Sequence, residues 1–301
     1  MTLHCWTSAR YAITLPTNHR FPIAKYALLR DAVIASGLVQ PAHIHEPDRA
    51  PIESLRLVHS ERYVQAVLSG ALTDAEQRRL GLPWSESLVE RSFRAVGGTC
   101  EAAAAALDRG LTMNLAGGTH HAFPDHGEGF CVFNDVAVAI RTLQRDGRIR
   151  RAVVIDLDVH QGNGTHAIFT GDPSVFTFSM HGGRNYPFHK VSGSLDVELA
   201  DGTGDDDYLA ALAGTLPRVL SASAPDLAIY LAGADSHEGD RLGRLCLTFD
   251  GLARRDVMVL DACREVGIPV VITIAGGYGR NIEDSVRVHL NTVRIASELA
   301  R

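Results

Sequence analysis

Nothing in the sequence approaches the ~20 consecutive apolar residues that a transmembrane helix needs, so no membrane span is expected. The first residues, Met1-Thr-Leu-His-Cys-Trp6, lack a basic segment followed by a long apolar one, so no secretory signal is expected either. Cysteine is sparse. Cys5, Cys100, Cys131, Cys246 and Cys263 are odd in number, scattered, and form no C-x-x-C pair. They read as reduced thiols of a cytoplasmic protein rather than a disulfide framework. Basic tracts are missing and the formal net charge is −6, which argues against binding nucleic acid by phosphate neutralisation. Repeats, low-complexity tracts and linkers are absent too, so residues 1–301 are expected to form a single domain. What remains is an ordinary globular composition, 46% hydrophobic and 21% charged.

The chain is organised around Arg151-Ala-Val-Val-Ile-Asp-Leu-Asp-Val-His160. Val153-Val154-Ile155 is the β-branched run of a strand buried on both faces of a parallel sheet. Asp156, Asp158 and His160 then fall at every second position, so an extended chain would point all three to one side. Two carboxylates and an imidazole crowded at a buried strand end need a cation or dedicated partners. Gln161-Gly-Asn163-Gly breaks the strand and lets the chain turn into a helix.

Strand and helix alternate on either side. Strands are expected at 2–6, 111–116, 153–160, 174–180, 227–231 and 269–274. Helices are expected at 21–36, from Ser60 onward, and at 89–107, 135–145, 207–221, 252–266 and 282–299, with a short one ending at 168–169. Residues 80–88 and the stretch after Met180 read as loops. Such alternation implies a mainly parallel sheet covered by helices on both faces. In open α/β sheets ligands bind beyond the carboxyl ends of the strands. Five strand ends carry glycine and reactive side chains: Gly117-Gly-Thr-His120-His121, Asp156 to His160, His181-Gly-Gly-Arg-Asn-Tyr186, Gly233-Ala-Asp235 and Gly276-Gly-Tyr278-Gly.

Asp158, His160 and Asp235 make a candidate metal set, since two carboxylates and one imidazole leave coordination positions open for hydrolytic work. Each of these motifs alone is more often structural; their coincidence at sheet ends reverses that weighting. Adjacent imidazoles at His120 and His121 point in different directions and can take different tasks. Tyr278, between two glycines, reads as an exposed residue of a flexible turn that could donate to a developing oxyanion. Two competing patterns fail. Gly162-Asn-Gly164-Thr-His-Ala167 fits a loose dinucleotide fingerprint, but no acidic residue follows at ribose distance. Asp156-x-Asp158 fits an aspartyl-phosphatase strand, but that chemistry leaves the twin histidines and Tyr278 without work.

With these residues assembled, the chain resembles the zinc-dependent histone deacetylase family. The resemblance rests on Gly117-Gly-Thr-His-His121, Gly127-Glu-Gly-Phe-Cys-Val-Phe-Asn-Asp135, Ile155-Asp-Leu-Asp-Val-His-Gln-Gly-Asn-Gly164, Phe178-Ser-Met-His181, Ala232-Gly-Ala-Asp235 and Ala275-Gly-Gly-Tyr278. It extends to His19-Arg-Phe-Pro-Ile-Ala-Lys-Tyr26 and Leu57-Val-His59. The Asp-Leu-Asp-Val-His form and Glu238-Gly-Asp-Arg-Leu-Gly243 look most like the class IV branch and its bacterial relatives. The related arginases use D-x-H-x-D for two manganese ions; the D-x-D-x-H order here points to one zinc.

The resemblance implies an arginase/deacetylase fold, α/β with a central, mainly parallel sheet of about eight strands. It implies a zinc amidohydrolase acting on acyl-lysine. Asp158, His160 and Asp235 would hold one Zn²⁺. His121 would be the general base, and His120, held by Asp156, would stay charged. Tyr278 would hydrogen-bond the carbonyl oxygen. Gly129 would accept the substrate N–H, with Phe130, Tyr186 and Leu242 lining the channel. Asp156, Asp158, His160, Ser179 and Met180 match a family potassium site. One departure stands out: the partner expected beside His121 is an aspartate, and Asn163 stands there. An amide can orient an imidazole but cannot stabilise its charged form as a carboxylate would, so a lower His121 pKa and weak activity on acetyl groups are expected. The class IV resemblance, in which the asparagine is shared, implies a preference for longer acyl chains. Two alternatives stay open. One is deacetylation of small acetylated amines such as polyamines, with Glu86, Glu128 or Glu238 as an acidic gate. The other is a catalytically weak acyl-lysine binding module, which would be expected to have lost a ligand, base or tyrosine; none is lost.

Overall fold

In the computed structural model, which describes residues 2–300, there are eight strands and ten α-helices, alternating from Leu111 onward except where the strand Leu195–Leu199 follows the strand Val175–Gly182 directly. The N-terminal third holds β1 (His4–Trp6), α1 (Ala24–Ser36), β2 (Ile44–His45), α2 (Ile52–Leu55), α3 (Glu61–Ser69), α4 (Asp74–Leu80), α5 (Glu86–Arg109) and β3 (Leu111–Asn114). Next come α6 (Asp135–Arg145), β4 (Ala152–Asp156), α7 (Asn163–Phe169), β5 (Val175–Gly182) and β6 (Leu195–Leu199). The chain continues with α8 (Asp205–Ser223), β7 (Leu227–Ala232), α9 (Phe249–Glu265), β8 (Val270–Ile274) and α10 (Ile282–Leu299). The strands form one sheet in the order β2-β1-β3-β8-β7-β4-β5-β6, and every pairing is parallel.

The sequence explains this layering. In β4, β7 and β8 every residue is buried, which is why they read as continuous apolar runs. Within β4, Val153 and Ile155 join the apolar cluster under α1, α8, α9 and α10, while Val154 joins the one under α5, α6 and α7. The period-2 alternation thus serves two cores at once. The alanine run Ala102–Ala106 lets α5 lie close to α6 and the sheet. A third cluster, with Tyr63, Val64, Phe93 and Phe133, packs α2, α3, α4 and the first half of α5 against the residues that lead into α6.

The structure departs from the sequence expectation at several points. The central strand ends at Asp156, not at His160. Asp156 Oδ1 accepts from Asp158 N (3.1 Å) and Asp158 Oδ1 from His160 N (2.9 Å), so each carboxylate captures the amide two residues on. These successive Asx turns lift the chain out of the ladder. The expected loop at 80–88 is shorter, because α4 reaches Leu80 and α5 starts at Glu86 behind a Ser85 cap. The Thr73/Glu76 capping box that starts α4 was present in the sequence as T-x-x-E. Behind β5, the edge strand β6, with Leu195, Val197 and Leu199 packed on the core and Asp196 and Glu198 between them, occupies part of the expected long loop.

His59 joins the end of α2 to the site loops. Its Nδ1–H donates to the Phe123 carbonyl (2.9 Å) and its Nε2 accepts from Asn134 N (2.9 Å). Burial pushes its pKa down to about 4, against the pull of the Phe123 carbonyl. The unfolded chain therefore binds a proton between pH 6.5 and about 4 that the folded chain refuses. Stability is expected to fall as pH drops through that window, by up to about 1.4 kcal/mol per pH unit. Urea midpoints of the wild type and of His59→Gln, measured across the window, check this: the variant should show the shallower slope, and equal slopes would exclude His59 as the source.

Candidate active site

Asp158 and His160 leave the end of β4, and Asp235 follows β7 after the short turn Gly233-Ala234. One ligand atom from each lies within 4.8 Å of the others, and all three residues are buried. His160 Nδ1 lies 3.0 Å from Asp158 Oδ1 and 3.1 Å from Asp235 Oδ2. Backbone amides fix the remaining carboxylate oxygens: Val159 N donates to Asp235 Oδ1 (2.9 Å) and Gly276 N to Asp158 Oδ2 (2.6 Å). Only glycine fits at position 276, where a Cβ would lie 1.6 Å from Asp235 Oδ2. Burial, and then the neighbouring Asp158 charge, pushes the Asp235 carboxyl up to about 7. Burial also acts to depress His160, but the two carboxylates outweigh it and hold the imidazole up to about 10. Two such carboxylates kept from water around one imidazole are chemically suited to a divalent cation with nitrogen and oxygen ligands, and zinc fits this donor set.

The histidine pair stands on the loop after β3. Asp135, buried at the start of α6, pins that loop by accepting from Gly118 N (3.1 Å), Thr119 N (2.7 Å) and the Thr119 hydroxyl (2.5 Å). His120 Nδ1–H donates to Asp156 Oδ2 (2.7 Å), and His121 Nδ1–H donates to Asn163 Oδ1 (2.7 Å). Their rings lie 4.1 Å apart, yet their charges separate. Burial works against the charged form of both. Asp156 and Asp158 outweigh it at His120, whose pKa rises to about 9. At His121, the positive His120 and His160 reinforce burial and push the pKa well below 6.5. A charged and a neutral imidazole side by side are an acid–base pair set by environment.

Tyr278 is half-buried rather than exposed, a correction to the sequence reading. Its ring packs 6.1 Å from that of Phe130 and 6.2 Å from that of His160, with Lys25 Nζ 5.6 Å from its centroid. Asp240 holds its backbone, accepting from Tyr278 N at 2.6 Å. Phe130 sits opposite at φ 69°, a left-handed conformation that costs a non-glycine residue about 1–3 kcal/mol, and lines the same cavity as His121, His160 and Tyr278. At Gly129 a Cβ would meet the His121 ring at 2.6 Å. Tyr186 stands edge-on to His121, 5.0 Å between centroids, and Leu242 shares the mouth. Asp156 faces Ser179 across β4 and β5, next to the buried Met180.

This geometry agrees with a comparison to known proteins. The family model described as the histone deacetylase domain matches residues 19–293. The chain belongs to the histone deacetylase family. An uncharacterized protein of Picosynechococcus sp. (strain ATCC 27264 / PCC 7002 / PR-6) is 48% identical, with 96% of each chain covered. Histone deacetylase 2 of Arabidopsis thaliana is 34% identical over 89% of this chain and 73% of its own. The crystal structure of the HDA15 HD domain shares the fold, with a TM-score of 0.83, 24% identity, and 99% and 89% of the two chains covered. Family membership supports deacetylation as the coarse activity.

In this deacetylase Asn163 does not act alone. Its Nδ2 donates to Glu128 Oε1 (2.9 Å), which also accepts from the Tyr186 hydroxyl. A carboxylate can only accept, so the amide nitrogen must face Glu128 and the amide oxygen must face His121. That orientation fixes the His121 proton on Nδ1 and leaves Nε2 free. Burial opposes ionisation of Glu128, but His126, Tyr186 and Asn163 outweigh it and bring its pKa down to about 2. Glu128 is therefore occupied, not a free gate. Glu86, in the first turn of α5, and the exposed Glu238 do not line the mouth.

Sequence reasoning assigned no role to Asp135 or Asp240, or to two buried cations. Lys25 Nζ donates to the Ala275 carbonyl (2.8 Å), and Arg255 Nη1 donates to the Gly233 carbonyl (2.6 Å) just before Asp235. Asp135, Asp240 and Lys25 each lie inside a stretch that carries the family resemblance, yet nothing local singled them out, and nothing local marked Arg255.

Proposed function

We propose that this deacetylase, as one catalytic domain over residues 1–301, is a zinc-dependent amidohydrolase that removes acyl groups, acetyl or longer, from the ε-amine of protein lysines. The observation that carries the proposal is the buried Asp158–His160–Asp235 cluster flanked by a neutral–charged histidine pair and a protonated phenol. When bound, zinc supplies Lewis-acid polarisation of the acyl carbonyl and of the attacking water. The side chains supply the rest. His121 takes the water proton at Nε2, because Nδ1–H is committed to Asn163, and then returns it to the leaving amine. His120 stays charged beside Asp156 and stabilises the negative charge that develops nearby. Burial, then Asp158 and Asp235, hold the Tyr278 phenol well above its ordinary pKa, so it donates to the carbonyl oxygen as that oxygen becomes an oxyanion. The Gly129 carbonyl accepts the substrate N–H, and Phe130, Tyr186 and Leu242 guide the lysine arm. We further assign a structural potassium ion to Asp156, Asp158, His160, Ser179 and Met180, and a class IV affinity to the whole. Five free cysteines support a reducing, cytoplasmic setting, and among the described residues no helix is long and apolar enough to cross a membrane.

The test is turnover by zinc-loaded protein of lysine peptides carrying acetyl, lactyl and long-chain acyl groups. Hydrolysis of at least one is expected; no turnover with one zinc bound per chain would overturn the proposal. The Asn163 arrangement gives a second expectation. A base must be deprotonated to act, so with His121 held low the acid limb of kcat/KM lies at low pH. Asn163→Asp would place two carboxylates in contact, so the clean variant is Asn163→Asp combined with Glu128→Gln. Its new carboxylate stabilises the imidazolium, and the limb is expected to move up by about one pH unit or more. A pH profile that does not move would contradict the role given to Asn163.

A further inference from the structure

The opening above Tyr278 carries charge of one sign. A cavity of about 570 Å³ reaches His121, His160 and Tyr278 and is lined by Arg20, Arg78, Arg79, Arg184 and Arg244, with no acidic side chain among its lining residues. Arg241 joins Arg20 and Leu242 in an adjoining depression. All six are exposed. Asp201 pairs with Arg244 (3.1 Å) and reaches Arg184 at 4.0 Å. Among the described residues Arg20, Arg78, Arg79 and Arg241 have no carboxylate within ion-pair distance. In a chain of net charge −6 this is a concentrated exception, and it surrounds the site where substrate must enter.

Resting on the reading above, we propose that the mouth selects acyl-lysines set between acidic residues, so that the substrate is an acidic segment of a protein. Unpaired guanidiniums around a concave opening attract anions and repel cations, and their planar forks match carboxylates. The same field disfavours acetylated polyamines, whose remaining amines are cationic. A chain rather than a small anion is favoured by the spacing of the arginines over four separate segments, near residues 20, 78–79, 184 and 241–244. Phe188, 81% exposed on the same rim, offers apolar surface to a backbone lying across it. Each exposed ion pair contributes little, so discrimination must come from several acting together, on the order of tenfold between oppositely charged peptides.

The test is binding, read separately from turnover. Fluorescent acetyl-lysine peptides of one length, flanked by aspartate, alanine or lysine, are titrated by anisotropy against zinc-loaded Tyr278→Phe protein at two salt concentrations. The expected order is acidic, then neutral, then basic, with about tenfold between the extremes, and it should narrow as salt rises. Arg20→Glu combined with Arg79→Glu should flatten or invert the order. A flat or reversed order in the parent protein overturns the proposal. So does equal affinity for a small acetylated amine carrying two carboxylates, which would remove the need for a peptide, or displacement of the acidic peptide by a lower concentration of a short oligonucleotide. Turnover of the neutral peptide by the wild type reports on the hydrolase reading alone, so the two failures remain distinguishable.

Discussion

Tyr278→Phe is expected to lower kcat by about 10²–10³-fold, the ~2.7–4 kcal/mol that one preorganised oxyanion donor supplies, with KM changed little. The phenol is suited to this task because its surroundings forbid its ionisation: burial, Asp158 and Asp235 all favour the protonated form. Its position does not depend on the hydroxyl. The backbone is held by Asp240 and the ring by Phe130 and Lys25, and phenylalanine keeps those contacts. The expected defect is therefore in the chemical step and not in folding or zinc content. Steady-state kinetics with metal analysis on the same samples check it. A loss below about tenfold would remove Tyr278 from the mechanism.

The second large effect belongs to Asp235→Asn. A neutral amide weakens the ligand set, and zinc affinity should fall by more than the roughly 10–100-fold that loss of an outer-shell partner costs. Deacylation should be lost with it. The metal-free protein should respond in the opposite sense. Without a cation, burial and Asp158 raise the Asp235 carboxyl to about 7, so its ionised form destabilises the fold above that pH. The folded state then holds a proton that the unfolded chain would release. Stability of the metal-free wild type should accordingly decline as pH rises from about 4 to about 7. The substitution removes the repulsion, so chelated Asp235→Asn should melt higher than the chelated wild type at pH 8, and lower once zinc is added to both. Thermal melts of the four samples check this. A variant less stable in both states would contradict the view that the cluster is strained without its cation.

Much of this was legible in the residues before any coordinates. The parallel sheet followed from Val153-Val154-Ile155 and its counterparts in β7 and β8, since strands buried on both faces cannot alternate. The helices with strong caps or long apolar stripes, such as residues 135–145 and 282–299, fell where they were expected. The candidate ligand residues were visible because charge at a buried strand end demands explanation. The geometry that delivers them was not: a D-x-D-x-H pattern reads as an extended strand, whereas the carboxylates capture backbone amides and turn the chain away. Tyr278 reads as a surface residue because two glycines flank it, yet its neighbours come from residues 25, 130 and 240. Lys25 and Arg255 escaped because only tertiary contact with the Ala275 and Gly233 carbonyls makes a buried cation tolerable there. The arginine mouth was invisible for a related reason. Its members are spread through a sequence whose total charge is negative, and only the fold gathers them.

The central claim is tested most directly by zinc titration of chelated protein, with deacylation of an acetyl-lysine or longer acyl-lysine peptide as the readout. Activity should be absent at the start and rise in proportion to added zinc. It should stop rising at one equivalent per chain, with no such rise in Asp158→Ala or Asp235→Asn. Full activity in the chelated protein, or activity that saturates only at two equivalents, would contradict a single metal held by Asp158, His160 and Asp235.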